Sequence, residues 1–309
     1  ARANMDVLRL IFPLFIIIFV GYLLRKTGFA RDGFVDELNR LVYFIGLPAL
    51  LFSESSRIDP DALAGGAAAI GFPIIVAVTA LIGFAATLPL PFRQRGPVIQ
   101  AGFRANLAYL GLPIVSTTLG SEVLGTVAII IAAGVIVNTL GSILVLSLLK
   151  PEGESIHPLS RLARTLTNPL LVAIALGLLF AAAGWSLPEV LARPIELLAR
   201  MSLPLILLVL GLSLSFSELR RNLPGAALAS VIKLVGMPAV AWGVMTWIFE
   251  SSPLVVETVV LMAAMPTAVA AQTFARAFDA DTSVSASSVS LSTLLAVVTV
   301  PVLLVVLGR

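Results

Sequence analysis

Gly102-Phe-Arg-Ala-Asn-Leu-Ala-Tyr-Leu-Gly-Leu-Pro113 decides how this chain folds, because it sets Arg104 and Asn106 deep in an otherwise apolar stretch. A second stretch, Met262-Ala-Ala-Met-Pro266-Thr-Ala-Val-Ala-Ala-Gln272, carries a proline near its middle. A proline inside a helix deletes one backbone hydrogen bond and crowds the preceding turn, and Asn106 competes with the backbone for hydrogen bonds. Both segments are therefore expected to break. In hydrocarbon the freed backbone groups need a partner from protein, water or ligand. Half-helices beginning near Asn106 and Thr267 would then aim their positive ends at one midplane point, which attracts an anion.

The sequence around these stretches is that of a membrane protein. It is 59% hydrophobic and 12% charged over 309 residues, with a mean hydropathy of +1.05, whereas a soluble domain is about one-quarter charged. Crossing a bilayer takes roughly 20 apolar residues. The pattern predicts an all-α membrane protein with ten spans, at residues 6–24, 36–53, 62–89, 96–119, 122–149, 168–184, 188–214, 224–249, 253–278 and 282–308. The first is long enough to span and no small-residue cleavage site follows, so no signal peptide is expected; Ala1 to Asn4, ahead of Met5, read as an appended remnant. With ten spans, twelve of the 20 lysines and arginines share the odd-numbered loops: Arg25, Lys26, Arg31, Arg40, Arg93, Arg95, Lys150, Arg161, Arg164, Arg220, Arg221 and Arg276. Positive charge marks the cytoplasmic side, which puts both termini outside. Arg104, Arg200 and Lys233 are left inside the spans. The net charge of +3 needs no nucleic-acid partner.

The halves repeat. Pro13, Gly21 and Gly28 recur as Pro169, Gly177 and Gly184, and Leu47-Pro48 recurs as Leu203-Pro204, all at an offset of 156 residues. Five spans separate equivalent elements, an odd number, so the second repeat enters the membrane from the opposite side. The chain divides into a first five-helix repeat at 1–149, a cytoplasmic linker at 150–167 and a second repeat at 168–309. Inverted repeats typify secondary transporters, which hold substrate near the midplane between the halves.

Three segments resemble the auxin efflux carrier family, which includes plant PIN auxin carriers and bacterial malonate and malate permease homologues. Asn106 to Pro113 is similar to the family's crossover followed by Gly-x-Pro. The others are Phe44 to Phe52 around Gly46-Leu-Pro48, and Met265-Pro-Thr-Ala-Val with the Ser/Thr-rich helix after it. The resemblance covers essentially the whole chain. It implies ten helices in two inverted five-helix repeats, with broken helices 4 and 9 crossing. It also implies crossover positions for Asn106 and Pro266, and a carboxylate site beside them with contributions from helices 2 and 5. A homodimer and a bacterial inner (plasma) membrane location follow from the same analogy. Ala105 stands where the plant pattern has a proline, and the long cytoplasmic loop of the larger carriers is missing.

Individual residues carry two readings each. Arg104 either meets a substrate carboxylate or pairs with helix-end carbonyls or a distant acid. Lys233 is a second anion contact or a counter-charge replacing a coupling ion, unless it binds carbonyls freed at an unwound segment. Asn138 faces the cavity or joins helices. Tyr109, nearly one turn beyond Asn106, lines the site or is a core aromatic. Gln272 and Ser53 either border the cavity or satisfy backbone carbonyls. The serines of span 10 read as close packing. The pair Glu196 and Arg200, at i,i+4, reads as structural.

The expected function is secondary transport of small organic anions, mono- or dicarboxylates of malonate, malate or auxin type, by elevator or rocking alternating access. Rivals are a sodium- or proton-coupled exchanger of the same architecture and a non-transporting receptor. No phosphate-binding Gly-x-x-x-x-Gly-Lys-Ser/Thr motif occurs. Cysteine is absent, and the one histidine, His157, sits in a polar loop, so a buried Ser-His pair is excluded. The chain is therefore not read as an enzyme, and neither cofactor nor resident metal is expected.

Overall fold

The computed structural model describes residues 2–56, 66–149, 169–214, 219 and 222–308. The linker expected at 150–167, with His157, and several loop arginines (Arg57, Arg220, Arg221) lie outside the described residues.

The described residues are helical, with no strand among them. In chain order the helices are α1 (Arg2–Lys26), α2 (Asp32–Leu41), α3 (Leu47–Ser55), α4 (Ala67–Ala86), α5 (Phe92–Phe103), α6 (Leu112–Leu119) and α7 (Leu124–Leu148). There follow α8 (Pro169–Ala182), α9 (Glu189–Leu212), α10 (Leu223–Val231), α11 (Met237–Gly243), α12 (Pro253–Ala263), α13 (Ala270–Ala277) and α14 (Thr282–Val306). Among the described residues, five stretches are long and apolar enough to cross a membrane: Ala67–Ala86, Ser121–Leu148, Glu189–Leu212, Leu223–Ile248 and Thr282–Val306. The fourth and ninth expected spans are each split, into α5 with α6 and α12 with α13.

Burial is inverted relative to a water-soluble protein. Phe19, Leu81, Leu144, Val172, Trp247 and Val298 stand exposed on helix faces, while Gln100, Arg104, Asn106, Asn138 and Lys233 are buried. Apolar surface of this extent is at rest only against lipid. Arg200 lies inside α9 and makes the expected i,i+4 pair with Glu196 at 3.0 Å, on an exposed face of the helix. Ser285, Ser287, Ser288, Ser290 and Ser292 are buried along α14 and Ser283 is half-buried; Ser287 and Ser288 donate to carbonyls one turn back, and the small size of these residues admits α5 and α10.

Four helical turns among the described residues are π-wide; one, Val244–Ile248, has no proline close behind it, and the other three share one local cause. The segments Val42–Gly46, Leu107–Gly111 and Ile232–Gly236 are π-helical, and each ends on the glycine of a Gly-x-Pro: Gly46-Leu-Pro48, Gly111-Leu-Pro113 and Gly236-Met-Pro238. A proline ring collides with the carbonyl four residues back. Widening the turn lets the residue before the proline reach five back instead, as Leu47 does to Val42, Leu112 to Leu107 and Met237 to Ile232. Pro204, by contrast, lies inside the continuous α9.

Glycines set the closest helix approaches. A Cβ on Gly21 would lie 2.3 Å from the Leu208 carbonyl oxygen and one on Gly211 1.9 Å from that of Ile18, where α1 meets α9. A Cβ on Gly177 would lie 2.8 Å from the Phe52 carbonyl oxygen and 2.6 Å from Ser55 Cβ, where α8 meets α3. Gly21 and Gly177, Phe52 and Leu208, and Ser55 and Gly211 are all 156 residues apart (177 minus 21; 208 minus 52; 211 minus 55). Gly46 faces Ser202, its own counterpart at that offset, and a Cβ there would lie 2.7 Å from the Ser202 Oγ. Gly28 and Gly184, also counterparts, both take positive φ, 76° and 64°. Gly211→Val and Gly177→Val are each expected to lower the detergent melting temperature, since overpacking costs about 1–3 kcal/mol. Gly33→Ala, with nothing within 4 Å of the new carbon, should leave it unchanged.

Candidate functional site

The two interruptions meet. α5 stops at Phe103 and α12 at Ala263, and Ala105 forms an isolated antiparallel bridge with Thr267. The Asn106 amide donates to the Pro266 carbonyl at 2.8 Å, and the Ala268 amide donates to the Arg104 carbonyl at 2.9 Å. Each broken segment thus supplies the bonds that the other lost. Chain continuity returns through the π turn and α6 on one side and through α13 on the other.

Side chains satisfy what the bridge leaves over. Ala101 would ordinarily receive the amide of residue 105, but that amide turns to Phe103 at 3.1 Å; the Thr267 hydroxyl donates to the Ala101 carbonyl instead, at 2.9 Å. Ala263 would receive the amide of residue 267, but that amide donates to Ser292 Oγ at 3.0 Å. Lys233 Nζ fills the place, donating to the Ala263 carbonyl and lying 3.0 Å from Met237 Sδ.

Arg104 points its guanidinium across to α7. Its Nη1 donates to the Asn138 carbonyl and to Ser142 Oγ, both at 2.9 Å, and the group lies over the Phe274 ring at 4.4 Å. No carboxylate among the described residues forms an ion pair with it. Its Nε–H and Asn106 Nδ2 are buried without an acceptor, and Asn138 Oδ1 is buried without a donor. Asn106 Oδ1 accepts from the Tyr109 amide at 3.2 Å, which caps the half-helix that starts there. The first amides of a helix have no intrahelical acceptor, so this start carries partial positive charge.

Of the residues predicted from sequence, Arg104, Asn106, Asn138, Pro266 and Thr267 are gathered at the crossing. Tyr109 reaches away, donating its hydroxyl to Asn39 Oδ1 on α2 at 2.6 Å. Gln272 is partly buried on α13. Ser53 lies apart, in a cavity of about 250 Å³ lined also by Phe52, Ser56, Phe180, Trp185 and Ile195. Sequence reasoning missed Ser142, Phe274, Asn39 and Gln100, and read Ser292, which accepts from the Thr267 amide, only as packing. Ser142 was within reach, one helical turn beyond Asn138; Gln100 lies one turn before Arg104, with both amide atoms buried and unpartnered. The others are brought in by tertiary packing.

An all-helical protein with an apolar outer surface and a polar, cationic helix crossing inside belongs to the class of integral membrane proteins that handle solutes. The chain belongs to the family described as membrane transport protein, whose model matches residues 6–304; this is the family to which the auxin efflux carrier resemblance pointed. It is similar to an uncharacterized transporter of Methanothermobacter thermautotrophicus, 29% identical over 94% of this chain and 95% of that protein. A provisionally named malonate transporter of Rhizobium meliloti is 24% identical over 97% of this chain and 95% of its own length. An uncharacterized transporter of Methanocaldococcus jannaschii is 24% identical over 90% and 91%.

Thr267→Val should lower the melting temperature in detergent, because a buried carbonyl deprived of its donor costs about 1–3 kcal/mol. Thr267→Ser, which retains the hydroxyl, should melt near the wild type.

Proposed function

We propose that the chain is a secondary carrier of small carboxylates, with the crossing as its substrate site. The observation that carries this is the pair of buried donors, Arg104 Nε–H and Asn106 Nδ2, left without an acceptor beside a helix start. An unsatisfied buried donor costs about 1–3 kcal/mol and more when charged, and a carboxylate is its natural complement. The malonate name of the Rhizobium meliloti relative supports a small dicarboxylate.

The reading includes ten spans in two inverted five-helix repeats, 1–149 and 168–309, joined by a cytoplasmic linker. The glycine approaches that recur at one offset support it, because a pseudo-twofold axis produces reciprocal contacts and sets some residues against their own counterparts. The charge bias of the loops supports cytoplasmic odd loops, outward termini and an inner-membrane location. A homodimer rests on family analogy alone. Alternating access then moves one bundle past the other, by an elevator or a rocking motion, with the carboxylate at the crossing.

Purified protein in liposomes should take up labelled malonate. Asn106→Ala should abolish uptake while eluting and melting as a folded protein; uptake at the wild-type rate would remove the crossing from the mechanism. Arg104→Gln should raise the half-saturating concentration roughly 10- to 100-fold, the range for one charged hydrogen bond; unchanged affinity would leave the arginine a purely architectural role.

A further inference from the structure

We infer that Lys233 is a tethered cation, standing permanently where carriers of this architecture hold a coupling ion, so that this protein works without sodium or potassium. The inference rests on the carrier reading for its transport arm and on geometry for the rest. In carriers with broken helices, unwound carbonyls and the C-terminal ends of half-helices coordinate the coupling cation. Ala263 is such an end: it closes α12, its carbonyl has lost the amide four residues on, and the negative end of the α12 dipole lies there.

The amine of Lys233 occupies that position. It comes from the π turn Ile232–Gly236 on a different span, is fully buried at 0% exposure, and contacts the Ala263 carbonyl and the Met237 sulfur. A coupling-ion site would normally add a carboxylate, yet no acid is buried among the described side chains. The arrangement therefore provides a cation's oxygen ligand and fills it with a covalently attached charge. Lys233 touches neither the bridge residues nor the free donors directly, so it is a positioning residue, acting through the Ala263 carbonyl and the turn that leads to Pro266.

Two readouts test this, one of which needs no flux. Thermal melting in detergent and malonate uptake in liposomes are measured in sodium, potassium, methylammonium or N-methylglucamine chloride at equal ionic strength, for wild type, Lys233→Ala and Lys233→Met. Wild type should melt and transport alike in all four. Lys233→Ala should melt lower, lose about tenfold or more in uptake, and recover both with methylammonium or sodium but not with the bulky N-methylglucamine. Lys233→Met, which fills the space without charge, should be impaired and indifferent to the cation.

The inference is overturned if wild type needs sodium, or if a proton gradient drives wild-type uptake through Lys233, which would make it a titrating group. It is overturned equally if Lys233→Ala matches wild type in N-methylglucamine, or is impaired without responding to any cation. Should Lys233→Ala fail to fold, wild-type uptake by Lys233→Met overturns it. Absence of malonate uptake by wild type itself would refute malonate as the substrate, and the melting series would still decide the role of Lys233.

Discussion

A membrane interior gives an unpaired peptide group no water to bind, and that constraint governs this molecule at two places. Pro266 and the Asn106 region interrupt helices where the backbone can least go unsatisfied. The response is reciprocal: Asn106 to Pro266 and Ala268 to Arg104 form a two-bond fragment of antiparallel sheet between two half-helices. Thr267 and Lys233 then cap carbonyls that the fragment cannot reach. Each side chain is therefore held in place by what the other segment lacks. Disturbing one interruption is felt at both.

Charge follows from the same geometry. Helix starts at the crossing concentrate partial positive charge and helix ends concentrate negative charge. Arg104 is steered toward α7 by Asn138 and Ser142 and stacks on Phe274, while Lys233 sits on a helix end. Both cations are buried without a pairing carboxylate among the described residues. On the proposal made above, the donors left open on Arg104 and Asn106 are the ones an arriving anion would satisfy, and they bear more on function than the ones already used.

The interruptions themselves were legible in the sequence, because Pro266, Asn106 and the Gly-x-Pro triplets act on their own backbone within one turn. Membrane class was legible from composition, and the glycine offset from simple comparison of the halves. One reading of Lys233, a lysine bound to carbonyls freed at an unwound segment, matches its contact with Ala263; what the sequence could not reveal was which carbonyl each repairing side chain reaches. Thr267 reaches a carbonyl 166 positions away and Lys233 one 30 positions away, and neither pairing leaves a local trace. Tyr109 was placed near the site by helical spacing, yet its hydroxyl is drawn to Asn39, a partner set by how α2 packs. Ser53 was grouped with the site by polarity alone and lies in a separate cavity beside Trp185.

The mutual repair of the two interruptions is open to direct chemical measurement, since the chain has no cysteine of its own. Ala105 and Thr267 form a non-hydrogen-bonded antiparallel pair, a geometry with Cα atoms about 4.5 Å apart, within the roughly 4.4–6.8 Å that a disulfide spans. In membranes containing the Ala105→Cys, Thr267→Cys protein, mild oxidation should link the two peptides, detected by mass spectrometry after digestion. Quantitative recovery of both peptides unlinked, from protein that still elutes as folded, would contradict the account.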